Sequence, residues 1–117
     1  MGLFKRRQKA VTTGNPLDDD MLREIGARSD LTLPRHWVHY IYCASESGAQ
    51  TMATAASGDG WDLQRVGEAA SGGGWVVIAE QRGVVLTPER VTSARMFFEQ
   101  LAKSVPGGDY DGWEASV

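Results

Sequence analysis

The sequence predicts an α+β domain, and the order of its apolar segments predicts which one. Residues 34–43 and 75–79 are rich in β-branched and aromatic side chains on both faces, as in the central strands of a sheet. Residues 61–66 alternate between apolar and polar, as in an edge strand. With helical patterns between them, the order strand, helix, strand, strand, helix, strand predicts a ferredoxin-like α/β sandwich (βαββαβ) with both helices on one sheet face.

An additional helix is expected before the first strand. Asn15 and Pro16 suit its N-cap and first position, and the three acids at residues 18–20 then fall in the first turn, where the helix dipole favours them. Gly26 and Arg28 suit its end. Residues 1–15 precede this helix without any apolar period, so we expect a disordered basic tail there and a single domain over residues 16–117.

The segments after the first strand have recognisable helix and turn signals. Ser47 followed by Gln50 forms a capping box for a helix that Gly58 ends. Residues 67–74 are glycine-rich and predict a hairpin loop. Gly83 is expected to break the third strand.

The second helix of the sandwich begins with Thr87 as N-cap and Pro88 at the first position. Its apolar residues recur at helical spacing as far as Val105. The proline and glycines at residues 106–108 then stop it, and the residues from 109 onward predict a short last strand.

Charge is distributed unevenly along the 117 residues. Four of the 12 basic residues, at positions 5, 6, 7 and 9, precede the first acid, so 8 basic residues remain against all 15 acidic ones and the body carries a net charge of −7. A body of that sign repels a nucleic-acid backbone, so we expect no direct binding of nucleic acid.

No catalytic or metal-binding constellation stands out in the sequence. His36 and His39 are three residues apart on a strand, so they point to opposite faces and cannot share a metal. Cys43 is the single cysteine and has no catalytic signature around it. The sequence has no membrane-spanning apolar run, and we expect no signal peptide because no small-residue cleavage site follows the basic start. We therefore expect a cytoplasmic protein that is not an enzyme and has no cofactor and no metal.

Two stretches carry a resemblance to a known family. Near its C-terminus the chain carries Tyr110-Asp111-Gly112-Trp113, and Arg35 and His39 lie in a Pro-Arg-x-x-x-His stretch at the first strand. Over roughly residues 20–114 the sequence resembles the regulator of ribonuclease activity B family. The resemblance implies a ferredoxin-like fold and a protein partner, an endoribonuclease of the ribonuclease E type that such proteins inhibit by binding. It makes these six residues the candidates for partner binding.

The same residues also allow a structural interpretation. We expect His39 to face inward and to be held by a hydrogen bond. In the last strand we expect Trp113 to turn inward as an anchor, Gly112 to permit a bend, and Asp111 to point outward.

Two other functions are open at this point. Tyr40, Tyr42 and Trp75 could stack on bases as an RNA-binding sheet does, although the usual basic residues are missing. Alternatively, His39, Tyr40 and Asp111 could line the cleft of a small ligand-binding or enzymatic module. The sheet face away from the helices would be left for the N-terminal helix, for a partner, or for a second copy of the chain in a homo-oligomer.

Overall fold

Three helices and one four-stranded sheet make up the described part of the chain, residues 12–70 and 72–117 of a computed structural model. The predicted tail falls mostly on residues 1–11, outside the described residues. The elements are α1 (Pro16–Arg28), β1 (Arg35–Cys43), α2 (Glu46–Gly58), β2 (Asp62–Glu68), β3 (Trp75–Val84), α3 (Pro88–Lys103) and β4 (Asp109–Ala115).

The sheet is antiparallel throughout, with the strand order β2-β3-β1-β4. As predicted, the two strands that are apolar on both faces are central and the other two are edges. In the central pair, Ile41 lies opposite Val77 and Cys43 lies opposite Trp75. Side chains that lie directly opposite each other share a sheet face, so these four are on the same side.

That side of the sheet carries the hydrophobic core. The predicted alanine-rich face of α2 is buried, and Phe98 of α3 is fully buried. Because small side chains allow close approach, α2 can lie near the sheet. Leu22 and Ile25 of α1 join the same core. Hydrogen bonds from Arg95 and Trp113 to Asp18 place this additional helix beside α3 and β4, so the opposite face of the sheet is uncovered by any described helix.

Helix boundaries follow the capping chemistry, with one correction. Asn15 and Thr87 are the N-caps of α1 and α3, as predicted. The N-cap of α2 is Ser45 rather than Ser47, since the Ser45 hydroxyl oxygen accepts the Gly48 N–H at 3.2 Å.

The end of α1 agrees with the sequence prediction, whereas the end of β3 does not. Gly26 lies in the last turn of α1, which ends at Arg28 as predicted. Gly83 does not break β3 but lies within it, with a positive φ of 68°.

The edge strand β2 departs from the simple alternation that its sequence predicts. Its pairing with β3 shifts between Leu63 and Arg65, so Arg65 lies opposite Ile78 and Val66 lies opposite Val77. This irregularity turns Arg65 away from the helices and Val66 toward them. The alternation predicted over residues 61–66 would place Arg65 on the same face as Leu63, and this is wrong, because a bulge moves the following side chains to the other face.

Candidate partner-binding site

His39 lies in the core, between the sheet and the helices. It is fully buried, and its Nδ1 is 2.7 Å from the hydroxyl oxygen of Tyr110. Its ring stacks on Phe98 at 4.6 Å and meets Trp61 edge-on at 4.8 Å. Burial, helped by the nearby positive charge of Arg95, lowers the pKa of His39 to about 3. The imidazole is therefore neutral at pH 7 and serves as a packed, hydrogen-bonded core side chain, as expected.

A buried carboxylate joins α1 to α3 and β4. Asp18 is only 1% exposed. Its two oxygens accept hydrogen bonds from Arg95 Nε at 2.6 Å and Nη2 at 2.9 Å, a bidentate pair. One of those oxygens also accepts the indole N–H of Trp113 at 2.9 Å. Sequence reasoning assigned Asp18 only to the helix dipole, and its place among three consecutive aspartates gave no sign of burial.

Arg95 connects this carboxylate to the His39 region. Its guanidinium carbon is 5.0 Å from the centre of the Tyr110 ring, and its Nη1 donates to Glu99 at 2.8 Å. The hydrogen bond with Asp18 raises the pKa of Arg95 further above its usual value, so Arg95 stays charged. Burial likewise raises the pKa of Tyr110. We call Asp18, Arg95, Tyr110, His39 and Trp113 the buried polar chain.

Arg35 has a different structural task. It is 5% exposed, and its Nη1 and Nη2 donate to the backbone oxygens of Ser116 at 2.9 Å and Asp30 at 2.5 Å. Arg35 thereby ties the loop before β1 to the end of the chain. This contact leaves little of its side chain for a partner.

The last strand contains the bend that the glycine predicted. His39 lies opposite Trp113 and Ile41 opposite Tyr110, so two residues of β4 face one residue of β1. This is a β-bulge. Gly112 adopts a φ of +94° there, and a Cβ at that position would meet no atom within 4 Å. Glycine is therefore favoured by the backbone angle and not by lack of space.

The bulge places some residues of the Tyr110–Trp113 motif toward the core and others toward solvent. Trp113 is 8% exposed, which confirms its inward orientation, and Tyr110 is half-buried. Asp111 is exposed, as expected.

Asp111 borders a groove between α1 and the bulge. This groove, with a volume of about 280 Å³, is called here the α1–β4 groove. It is lined by Leu17, Asp18, Asp20, Met21, Glu24, Arg95, Asp111, Gly112 and Trp113. Three of the six residues proposed from sequence, Asp111, Gly112 and Trp113, thus meet at one surface, where α1 contributes five further residues and α3 contributes Arg95. Sequence reasoning missed the part played by α1.

The opposite, open face of the sheet carries its own polar pairs. The Tyr40 hydroxyl donates to Glu114 at 2.7 Å, and His36 Nε2 is 2.6 Å from Glu80. Tyr40 lies on this face, whereas Trp75 lies on the helix side. The three aromatic residues of the RNA-binding alternative therefore do not form one stacking platform.

The positions of His39 and Tyr40 bear on the enzymatic alternative. These neighbours point to opposite faces of the sheet, and His39 is enclosed in the core. They do not share a cleft with Asp111. Within residues 12–70 and 72–117, no three metal-binding side chains lie close enough together to hold an ion. None of the described helices is long and apolar enough to cross a membrane.

Comparison with protein families tests the family resemblance that the two motifs indicated. The family described as regulator of ribonuclease activity B matches residues 17–115. The chain belongs to this family. The match extends from the first turn of α1 to the end of β4, so both walls of the α1–β4 groove are family sequence and not additions to it. No individual curated protein matches the chain.

Proposed function

We propose that this member of the regulator of ribonuclease activity B family is a non-catalytic protein that binds an endoribonuclease of the ribonuclease E type and lowers its activity. The family match over residues 17–115 carries the proposal. The described side chains support it, because His39 is neutral and enclosed and the charged side chains of the buried polar chain are occupied with one another. Binding would place the protein with its partner in the cytoplasm.

The fold proposed with this function is the ferredoxin-like sandwich with one added helix. The strand order β2-β3-β1-β4 and the packing of α2 and α3 on one face support it. Fold alone does not determine function, so the proposal rests on the family and on the surface that the chain presents.

The test measures cleavage of a fluorescent single-stranded RNA by a purified endoribonuclease of the ribonuclease E type. Added protein should lower the cleavage rate in a saturable way and should form a complex with the enzyme in gel filtration. A pancreatic-type ribonuclease on the same RNA is the control, and its rate should not change. Unchanged cleavage by both enzymes, without a complex, would contradict the proposal.

Protection of the RNA itself must be separated from inhibition of the enzyme. Titration of the same RNA with the protein alone should show no binding even at low salt, where contacts to the phosphate backbone are strongest. Binding that weakens steeply as salt rises would instead favour the RNA-binding alternative.

A further inference from the structure

We propose that the α1–β4 groove is the surface that holds the partner, and that it takes a segment in which an apolar side chain is flanked by arginine or lysine. This inference rests on the proposed function and adds the place and the chemistry of the contact. It follows from the shape, the charge and the fixed floor of the groove.

One wall of the groove is apolar and faces solvent. Leu17 is 69% exposed, the most of any large hydrophobic side chain in the described part of the chain. Met21 lies one turn further along α1, and the ring of Trp113 closes the wall at the bulge. Removing these apolar surfaces from water stabilises a complex with an apolar side chain of matching size.

The charge of the groove is negative where it meets solvent. Asp20, Glu24 and Asp111 are exposed along it. Among the residues that the structure describes, Arg95 is the single cation that lines it, and the Asp18 and Glu99 carboxylates already accept its hydrogen bonds. A positively charged segment therefore complements the rim, and carboxylates bind guanidinium groups well.

The rim carboxylates can give up their present ion-pair partners for the cations of an incoming segment. Asp20 pairs with Arg23, and Glu24 pairs with Arg28 at 3.3 Å, in contacts whose side chains are more than 60% exposed. Exposed pairs of this kind contribute little to stability and are readily replaced. Asp111 takes part in none of the ion pairs among residues 12–70 and 72–117.

The floor of the groove is held in place before any partner arrives. Asp18, Arg95 and Trp113 fix α1 against α3 and β4 through three hydrogen bonds. The bulge at Gly112 sets the direction of Asp111. A surface that is already ordered loses little conformational entropy on binding, which favours affinity for a short segment.

The experiment uses the full chain and two fluorescent peptides, one of leucine and arginine, the other with glutamate in place of every arginine. The first should bind and the second should not. Asp111→Lys and Glu24→Lys should each weaken binding of the first peptide about tenfold through charge reversal, and Leu17→Ser should weaken it through the lost apolar contact. Asp62→Lys is the matched control, since Asp62 is exposed on the far edge strand, and it should bind as the wild type does.

The same variants are then tested for capture of the ribonuclease. Loss of capture by Asp111→Lys and Glu24→Lys but not by Asp62→Lys supports the groove as the contact surface. Equal capture by all three overturns the groove assignment and leaves the proposed function standing. If the wild type binds the peptide through the groove but captures no ribonuclease, the proposed function fails while the chemistry of the groove stands.

The same experiments distinguish two other possible occupants of the groove, which are the chain's own N-terminus and a second copy of the chain. The chain itself has Lys5, Arg6, Arg7 and Lys9 ahead of α1. If changing these four to glutamine in the full chain tightens peptide binding, the chain's own N-terminus fills the groove, and the assignment to a partner is overturned. Self-association that Leu17→Ser abolishes would assign the groove to a second copy and would also overturn it.

Discussion

Each face of β1 presents one histidine, and each histidine lies near a tyrosine. The surroundings of the two histidines are very different. On the helix side, His39 is fully buried and meets Tyr110. On the open side, the His36 side chain is 29% exposed and meets Glu80, and Tyr40 meets Glu114. Hydrogen bonds of similar length stand on both faces. Because water can replace those on the open face but not those inside, the buried set should dominate stability.

The last strand shows the same division within four residues. Tyr110 and Trp113 point inward, where Tyr110 packs on Phe98 of α3 and Trp113 donates to Asp18 of α1, whereas Asp111 points outward from the bulge. A short motif can thus combine anchors of the fold with a candidate contact for a partner. The first kind should be found by measuring stability and the second by measuring binding.

The largest effect is expected at Trp113. Trp113→Ala removes a buried indole and the hydrogen bond to Asp18, so it should lower the free energy of unfolding by about 3–5 kcal/mol. Trp113→Phe keeps part of the packing and should cost clearly less. Denaturant unfolding measures both. An alanine variant with wild-type stability that no longer captures the ribonuclease would mean that Trp113 acts at the interface instead.

Asp18→Asn should have the next largest effect. The change removes the carboxylate that holds the largely buried Arg95 guanidinium in a bidentate pair and leaves only Glu99 as its carboxylate partner, so we expect a loss of about 2–4 kcal/mol in the free energy of unfolding. Asp20→Asn is the matched control, because Asp20 lies on the same helix turn but is exposed, and it should change stability by less than about 0.5 kcal/mol. Equal losses of stability in the two variants would show that the different burial of Asp18 and Asp20 does not determine how much each contributes.

His39→Phe tests the inner face by its pH dependence. At pH 7 it should cost about 1–3 kcal/mol, because the Tyr110 hydroxyl loses its partner. The folded protein holds the pKa of His39 at about 3, below the ordinary value near 6.5, so the unfolded state binds a proton first as pH falls. This linkage lowers wild-type stability between about pH 6.5 and 3 by up to about 1.4 kcal/mol per unit, and the variant lacks it.

The stability advantage of the wild type over His39→Phe should therefore shrink as the pH is lowered from 6.5 and should reverse by about pH 4, because about 1.4 kcal/mol per unit over that range exceeds the difference of about 1–3 kcal/mol expected at pH 7. Chemical unfolding at a series of pH values measures it, and carboxylates common to both proteins cancel in the comparison. A difference that stays constant over that range would show that His39 titrates at an ordinary pKa in the folded protein.

The parts of this structure that the sequence predicted are those set by local patterns. Central and edge strands follow from hydrophobic periodicity, and the N-caps Asn15 and Thr87 follow from side-chain chemistry next to the helix. The same local reasoning misplaced the cap of α2 by two residues, because Ser45 and Ser47 are both good N-caps. It also missed the bulge in β2, which depends on pairing with β3.

The buried polar chain and the α1–β4 groove could not be predicted from local sequence patterns. Asp18 is 77 residues from Arg95 and 95 residues from Trp113 along the chain, so its burial depends on where α1 docks. By local rules Asp18 and Asp20 are equivalent acids in one helix turn. Docking makes one a core residue and the other part of the groove rim. The motif in β4 located three of the nine residues that line the candidate site, and tertiary packing supplied the other six.

The smallest effect is expected on the open face, from Tyr40→Phe. The hydrogen bond to Glu114 raises the pKa of Tyr40 to about 12, above the unfolded value near 10. Its contribution is thus present below pH 10 and disappears as the pH rises from 10 to 12. Since Tyr40 is partly exposed, solvent screening should limit the loss in the variant to less than about 1 kcal/mol at pH 7. Tyr42→Phe on the same face is the matched control. A loss at Tyr40 as large as that at His39 would remove the distinction between the two faces of β1, because it would show that the exposed pair stabilises the fold as strongly as the buried one.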